Sequence, residues 1–476
     1  MNIIDSFAAP SQGPQAGNAK LRSTNFRGSL SKNDRMSSFA NRAVRIRGLS
    51  YKNWNEIVHQ RRIPEWLRHA PAPSVRGFAT LAGTEAMARG ILISVMPLEM
   101  YRALRDAALV SEVYFLVGIL SLVTGLMVPF VSRFMPRRWI YVTGCAMFAS
   151  GASLGAQGGA LGMIGALALI TAATVTVFVC FNAYVLDFIA KTELGRCETS
   201  RMFYSALGWT VGPWLGVTLL GLWRPLPFLI AAVAALTMMG LFLYMRLGNG
   251  RLITRAHRPA PNPLAWMPRF VAQPRLVAGW IFAVIRSCGW WAYVVYLPIF
   301  ALEQGLGEDL GGMLLSASNG MLFLTPLMLR WMQRRSIRHA VRAGFFMSGL
   351  LFLLGASLSG LPWITVASLA CASVFLVLLD VSAGLPFLMA VKPSERTEMS
   401  AIYASFRDVS GILTPGAAWL VLLVAPLPGV FAVAGVGLVG CWHLARRLHP
   451  RLGSARQRMK PDPALNIPLP LTRKTG

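Results

Sequence analysis

Ionisable side chains inside long apolar stretches are the residues of this sequence that could carry chemistry. Glu85 and Arg89 occur in the stretch EAMARG, Asp380 occurs in FLVLLDVSAG, and Arg407 and Asp408 are adjacent in FRDVSG. A charge at the centre of a bilayer costs about 3 kcal/mol or more, so such residues usually face a cavity or a partner. Because a carboxylate can take up and release a proton, we predict Glu85, Asp380 and Asp408 as proton-coupling residues.

The spacing of Glu85 and Arg89 has two interpretations. Residues four apart lie on one face of a helix, so the two charges can neutralise each other. Alternatively, Glu85 is a proton site that Arg89 modulates, because a desolvated carboxylate retains its proton and a carboxylate beside a cation releases it. Asp380 has no cation in its own stretch, and Arg407 is its candidate partner from another helix.

Aromatic residues accompany a further intramembrane cation. The stretch RSCGWWAYVVY places Arg286, Trp290 and Tyr293 on roughly one helical face. Such rings would bind a planar or cationic organic ligand by stacking or cation–π contact, and the alternative is an aromatic belt at the membrane interface. The predicted lining of a substrate cavity is Arg89, Arg286, Trp290, Tyr293 and Arg407.

The composition indicates which elements position these residues. Of the 476 residues, 55% are hydrophobic and 14% are charged, whereas soluble proteins carry about 25% charged residues. Apolar stretches of about 20 residues, the length of a helix that spans the hydrocarbon core, recur along most of the chain. The sequence therefore predicts an all-α integral membrane protein.

Other classes of protein are excluded by the pattern of charges and by missing motifs. The formal net charge is +27, but the charges fall between the apolar stretches, which indicates membrane topology rather than a nucleic-acid-binding surface. The sequence has no Cys-x-x-Cys pair, no His-Glu-x-x-His motif and no phosphate-binding glycine-lysine loop. We therefore expect no nucleic acid partner, no metal, no cofactor and no enzymatic activity.

Twelve apolar stretches predict twelve transmembrane helices. They are expected at about 77–100, 111–132, 139–157, 160–189, 201–221, 225–246, 277–302, 309–329, 339–358, 361–390, 399–424 and 427–446. The termini and even-numbered loops hold about forty lysines and arginines, whereas the odd-numbered loops hold three, Arg102, Arg105 and Arg224. The positive-inside rule then places both termini in the cytoplasm. We expect a monomer in a bacterial inner membrane.

Polar segments divide the chain. Residues 1–75 are expected to form a basic, disordered cytoplasmic tail, although they also resemble a transit peptide and Met36 is an alternative start. Residues 76–246 and 276–447 are the two six-helix bundles, joined by a basic cytoplasmic linker, 247–275. A second basic tail, 448–476, ends the chain.

An internal repeat relates the two bundles. RFMPRRWI at 133–140 returns as RWMQRRSI at 330–337, an offset of 197, and RCETS at 196–200 returns as RTEMS at 396–400, an offset of 200. ISVMPL at 93–98 aligns with VVYLPI at an offset of 201, which places Arg286 opposite Glu85 and makes it a candidate partner. The predicted fold is two parallel six-helix repeats, an arrangement of many secondary transporters.

With this duplication, the long linker between helices 6 and 7 and the basic loops 2–3 and 8–9, residues 76–450 resemble the major facilitator superfamily. In that family, loop 2–3 carries a motif like G-x-L-x-D-R-x-G-R-R. Here its basic end is present as Arg137 and Arg138, and Arg133 stands where the acid is expected.

The resemblance implies that the basic loops gate the cytoplasmic face, and the alternative is that their charges only set topology. The gating residues implied are Arg133, Arg137, Arg138, Arg334 and Arg335. Their candidate acidic partners are Glu193, Glu198 and Glu398.

Helix 5 contains GWTVGPWLG, which resembles the G-x-x-x-G-P-x-x-G motif of proton-coupled drug antiporters in the family. Pro213 cannot donate a backbone hydrogen bond, so the helix can bend there. Gly208, Gly212 and Gly216 allow a neighbouring helix to approach closely. The resemblance implies a gating helix, and the alternative is a packing seam.

These features favour a secondary transporter that exports a small organic or amphipathic molecule in exchange for protons by alternating access. The expected partners are this substrate, protons and the lipid bilayer. Two alternatives remain: proton-coupled uptake of an organic anion held by Arg89, Arg286 or Arg407, and a non-transporting membrane sensor or assembly scaffold.

Overall fold

The computed structural model describes residues 74–132, 134–189, 193–245, 263–392 and 395–448. Within these ranges the chain is helical and contains no strand. Both predicted tails lie almost wholly outside the described residues, as do most of the predicted linker and Arg133.

Six helices form the first half of the molecule, called the N half. They are α1 Val75–Leu104, α2 Ala107–Val131, α3 Arg137–Gln157, α4 Ala160–Phe188, α5 Leu194–Leu222 and α6 Leu226–Tyr244. Polar side chains cap the N-termini of α1 and α2. Ser74 Oγ accepts a hydrogen bond from Gly77 N at 3.2 Å, and Asp106 Oδ1 accepts one from Ala108 N at 2.8 Å. These caps pair N–H groups that the start of a helix leaves without a helical partner.

Six further helices form the second half, called the C half. α7 consists of Pro274–Trp291, a π-helical segment Ala292–Tyr296 and Leu297–Glu303, and α8 consists of Asp309–Gly320, a 3-10 turn Met321–Leu324 and Thr325–Arg335. The others are α9 Ile337–Ser357, α10 Pro362–Ser382 with Leu385–Ala390, α11 Arg396–Ala404 with Phe406–Leu422, and α12 Pro428–Leu444.

The interruptions in α8, α10 and α11 correct three helices that were predicted as continuous. Pro326 and Pro386 lack the N–H that an unbroken α-helical ladder needs, and each follows an interruption. In α11, Ser405 Oγ donates to Ile402 O at 2.7 Å and accepts from Trp280 Nε1 of α7 at 3.2 Å. The break in α11 is therefore stabilised by a neighbouring helix.

A short helix, Pro263–Val271, lies within the predicted linker 247–275 and is called the linker helix. Arg269 Nη2 forms an ion pair with Glu395 Oε1 beside the start of α11, and Phe270 is buried. The linker helix is therefore packed against the C half.

Ten helices of the described chain are long and apolar enough to cross a membrane. The two others are α3, which begins with two arginines, and the interrupted α11. α1 and α7 both span 30 residues, and α3 and α9 both span 21. The predicted all-α multi-pass membrane fold with two six-helix repeats is confirmed.

The two halves contact each other chiefly where α5 packs on α8 and α2 packs on α11. We call the end of the molecule where α6 ends and α7 begins the linker end. The end where α1 meets α2 is called the opposite end. These two names carry no statement about which side of the membrane each end faces.

Candidate functional site

A cavity of about 230 Å³ lies in the linker-end part of the N half. Its walls come from α1, α3, α4 and α5 of the N half, and Arg407 of α11 contributes from the C half. The lining combines acids, cations and aromatic rings. Its polar and aromatic members include Glu85, Arg89, Tyr141, Phe178, Phe181, Asn182, Glu198, Arg201, Ser205, Trp209 and Arg407.

The structure brings together Glu85 and Arg89 on the cavity wall. Arg89 Nη1 donates to Glu85 Oε1 at 2.9 Å, and the two side chains are 26% and 23% exposed, respectively. The Arg89 guanidinium also lies 5.1 Å from the ring centre of Trp209 in α5. Arg89 therefore has two stabilising neighbours, one a carboxylate and one an aromatic face.

A second ion pair on the cavity wall was missed by sequence reasoning. Arg201 Nη1 donates to Glu198 Oε2 at 2.7 Å, and Arg201 Nη2 donates to Asn182 Oδ1 at 3.2 Å. The guanidinium lies 4.5 Å from the ring centre of Phe181. The three-residue spacing of Glu198 and Arg201 was the available signal, but their place at a predicted helix start suggested a loop charge.

Tyr141 and Arg201 each present a buried polar atom at the cavity without a hydrogen-bond partner among the described residues. Tyr141 is fully buried, and its Oη has no hydrogen bond among the described residues. The same holds for Nε of Arg201. Because a buried polar group without a partner costs about 1–3 kcal/mol, a water molecule or a ligand is expected to pair with these atoms.

The intramembrane ion pair of the C half gives Arg286 a partner that the sequence did not predict for it. Arg286 Nε lies 3.2 Å from Asp380 Oδ1, although this N–H is not aligned for a hydrogen bond. Trp290 Nε1 donates to Asp380 Oδ2 at 3.0 Å. Arg286 thus meets an acid of α10 in its own half, and its pairing with Glu85 stays a prediction. The guanidinium groups of Arg286 and Arg407 lie 5.3 Å and 5.4 Å from the Phe406 ring centre.

Trp290 and Tyr293, predicted to line a cavity, are buried within the C half and are not among the residues around the cavity. Tyr293 Oη lies 2.9 Å from Ser318 Oγ. Their neighbours reach the N half: Tyr296 Oη donates to Ser111 Oγ of α2 at 2.9 Å, and the Trp291 ring packs edge-on against Tyr114. The π-helical segment adds a residue to one turn of α7 and so changes which side chains face the N half.

The glycines of α5 form a seam with α1 inside the N half. A Cβ atom on Gly208 would lie 2.6 Å from Met87 N, and one on Gly212 would lie 2.6 Å from Gly90 C. A Cβ atom on Gly216 would overlap Ile91 O. Only glycine permits this approach. The contacts agree with the packing interpretation, and the gating role stays a prediction.

Pro213 creates a contact between the halves. Because proline has no N–H, the carbonyl of Trp209 four residues earlier has no helical donor. Asn319 Nδ2 of α8 donates to this carbonyl at 2.8 Å, and Ser316 Oγ of α8 accepts from Trp214 N at 2.8 Å. Sequence reasoning missed Asn319 and Ser316 because their partners are backbone atoms more than 100 residues away.

Charged side chains also join the halves at the opposite end. Glu99 is buried and accepts from Arg102 Nη1 at 2.6 Å and from Arg224 Nε at 2.7 Å. Arg102 Nη2 forms an ion pair with Glu308 Oε1 beside the start of α8. In the sequence, Arg102 and Arg224 served only as loop charges that set topology. The three-residue spacing of Glu99 and Arg102 was the signal that could have identified the pair.

Arg137, one of the predicted gating arginines at the linker end, pairs with an acid other than the three expected. Arg137 Nη1 lies 2.7 Å from Asp187 Oδ2 of α4, and Glu198 pairs with Arg201 instead. Asp187 ends the adjacent helix and is therefore nearer than the acids of the next loop. The Arg138 guanidinium stacks on Trp139, and Arg334 and Arg335 are exposed.

The remaining predicted residues are Asp408, Glu193 and Glu398. Asp408 is half-buried in the first turn of its helical segment and is not among the residues around the cavity. Glu193 is exposed. The side chain of Glu398 lies outside the described part of the chain.

Comparisons with known proteins agree with this architecture. The family model described as "Major Facilitator Superfamily" matches residues 78–415. The solved structure of the nucleoside transporter NupG has a TM-score of 0.61 at 12% identity, covering 79% of this chain and 99% of that chain. A POT family transporter in complex with 5-aminolevulinic acid has a TM-score of 0.62 at 13% identity, covering 78% and 94%. No curated protein matches the sequence. At these identities the structural likeness shows the fold alone.

Proposed function

Because the chain belongs to the major facilitator superfamily and is therefore a transporter rather than an enzyme, we propose that it exports a small organic molecule in exchange for protons by alternating access. The observation that carries this proposal is the Glu85–Arg89 pair on the wall of the cavity, which Arg407 of the C half also lines. This pair combines a titratable group, a cation and access to a ligand.

The cavity is placed where a substrate could enter from the linker end. The contacts of Arg102 with Glu308 and of Asn319 with Trp209 join the halves between the cavity and the opposite end. The excess of basic residues at the linker end supports its placement in the cytoplasm. The structure then corresponds to an inward-facing state, in which an exported molecule is loaded.

The two neighbours of Arg89 suggest how a proton could be exchanged. The Arg89 guanidinium lies between the Glu85 carboxylate and the Trp209 ring, so it can move from one toward the other. We propose that the proton is exchanged at Glu85 when the guanidinium moves toward Trp209. A cationic or neutral ligand that competes with this proton for Glu85 would be exchanged for it.

A second candidate, proton-coupled uptake of an organic anion, is favoured by the donors around the cavity. Arg89, Arg201 and Arg407 all line it, and the unpaired Tyr141 Oη and Arg201 Nε can each donate to an oxygen atom. A carboxylate that displaces Glu85 from Arg89 would leave Glu85 to bind a proton. Anion and proton would then move together.

Purified protein in liposomes that contain a trapped pH-sensitive dye distinguishes the two modes. Ethidium serves as a planar cation and benzoate as a planar anion, each added as an outward gradient. Antiport predicts that ethidium leaving the vesicles drives protons inward, and symport predicts that benzoate carries protons outward. Proton movement should disappear in Glu85→Gln. If neither compound, nor any member of a wider set of organic cations and acids, moves protons through the wild type, the proposed proton coupling is wrong.

A further inference from the structure

Two arginines contact one tryptophan at the linker end of the C half, and a third arginine is hydrogen-bonded to one of them. Arg338 and Arg342 belong to the first turns of α9, and Arg446 follows the end of α12. The guanidinium groups of Arg342 and Arg446 lie 5.9 Å and 4.4 Å from the ring centre of Trp442. Arg338 Nη2 donates to Arg446 O at 2.8 Å. We call these three residues the arginine cluster.

The arginine cluster differs from the other arginine contacts at this end of the molecule. Arg137, Arg201 and Arg269 each pair with a carboxylate. By contrast, the described residues supply no ion-pair partner to any member of the arginine cluster. Nε of Arg338 and Nε of Arg342 are buried without a hydrogen-bond partner in that same part of the chain. Like charges held together with unpaired donors indicate that an anionic acceptor is missing.

An apolar stripe continues from the arginine cluster along α9. Phe346, Leu350 and Leu354 follow Arg342 at intervals of four residues, so each adjoins the one before it on the helix surface. Their exposed fractions are 38%, 45% and 42%, and the Phe346 ring packs 5.1 Å from Trp442. A cationic group at the end of a membrane helix above a lipid-facing apolar stripe matches a molecule with an anionic head and an acyl chain.

We propose that the arginine cluster binds the phosphate of an anionic phospholipid, with an acyl chain along Phe346, Leu350 and Leu354. Guanidinium groups form strong, charge-assisted hydrogen bonds with phosphate oxygens. Trp442 orients two of the three cations by contact with its faces. A free phosphate ion would pair with the cations but would leave the stripe unused. This site lies in the C half, apart from the transport cavity, and does not depend on the transported substrate.

Native mass spectrometry of the full-length protein in neutral detergent tests the proposal, with phosphatidylglycerol and phosphatidylcholine as probes. The triple variant R338Q/R342Q/R446Q is expected to bind phosphatidylglycerol about a hundredfold more weakly, because each of the three basic residues near an anionic lipid contributes about fivefold. The control R76Q/R196Q/R275Q removes the same charge from exposed arginines of the linker end and should change binding by less than about twofold.

Equal loss in both triple variants would show general surface attraction and overturn the site. Equal binding of the two lipids by the wild type would also overturn it. Inorganic phosphate that displaces phosphatidylglycerol at millimolar concentration would identify a phosphate site and refute the lipid. If R338Q/R342Q/R446Q elutes as an aggregate, the single variant R342Q replaces it. If R342Q and R338K/R342K/R446K both keep the wild-type preference for phosphatidylglycerol over phosphatidylcholine, the role of the guanidinium groups is refuted.

Discussion

The Glu85–Arg89 pair of the N half and the Arg286–Asp380 pair of the C half differ in construction. Glu85 and Arg89 belong to one helix, and each is about one-quarter exposed on a cavity wall. Arg286 and Asp380 come from two helices, and their side chains are 7% and 14% exposed. The Asp380 carboxylate also accepts a hydrogen bond from Trp290. The first pair can open without separating helices, whereas the second stabilises the contact between α7 and α10. We therefore propose proton exchange for the N half and structural support for the C half.

Glu85→Gln should produce the largest functional effect. We expect proton-driven accumulation of substrate to be abolished, because glutamine cannot carry a proton, while exchange of labelled for unlabelled substrate continues. The free energy of unfolding should change by less than about 1 kcal/mol, since the pair is partly exposed and local. Transport assays in liposomes with and without a pH gradient measure both activities.

Glu198→Gln is the matched control, because Glu198 also lines the cavity and pairs with an arginine three residues away. It should retain accumulation. If Glu198→Gln loses accumulation and Glu85→Gln keeps it, the proton site lies nearer the linker end.

Asp380→Asn should produce the largest effect on stability. The substitution leaves the buried Arg286 guanidinium without its carboxylate, which typically costs about 3–5 kcal/mol. Thermal unfolding in detergent measures the loss, and Asp408→Asn, a half-buried acid of α11, should cost less. A stable Asp380→Asn protein that loses only proton coupling would reverse the roles assigned to the two halves.

Sequence patterns predicted the fold well because they depend on segment length and repetition. Apolar stretches of about 20 residues determine the spans, and the recurrence of RFMPRRWI and RCETS identified two equivalent halves. Among the candidate site residues, the Glu85–Arg89 contact was predictable because both residues belong to one helix.

The contacts between helices were less predictable. The pairing of Arg286 with Asp380 depends on which helices pack together and on how each is rotated. The π-helical segment of α7 changes that rotation, and no motif in its apolar sequence indicated it. The contact of Arg102 with Glu308 joins residues of different halves, so spacing along the chain could not indicate it.

Asn319→Ala tests the contacts between the halves as distinct from those within each half. It should leave the Trp209 carbonyl without a donor and lower the free energy of unfolding by about 1–3 kcal/mol. In a Pro213→Ala background the new N–H at position 213 can pair with this carbonyl, so the same substitution should cost less. A double-mutant cycle of thermal unfolding measures the difference. Additive costs would refute the hydrogen-bond explanation.

Tyr141→Phe should produce the smallest effect. Loss of one donor at the cavity is expected to weaken substrate binding by about 0.5–1.5 kcal/mol, which is roughly twofold to tenfold. Tyr184→Phe is the control, since both rings contact Phe242 and only Tyr141 lines the cavity. Substrate affinity of the two variants is compared in liposomes. Equal affinities would show that the Tyr141 hydroxyl contacts water rather than substrate.

The Trp209 carbonyl, which has no helical donor because residue 213 is a proline, constrains how the sequence can evolve. Asn319 recognises a backbone atom, so the side chain at position 209 is free to vary without loss of the hydrogen bond. The Trp209 carbonyl needs a hydrogen-bond donor from position 213 or from position 319. A residue with an N–H at 213 therefore removes the need for an amide at 319. Descendants of this gene that replace the proline are therefore expected to lose the asparagine as well, and the two positions should change as a pair.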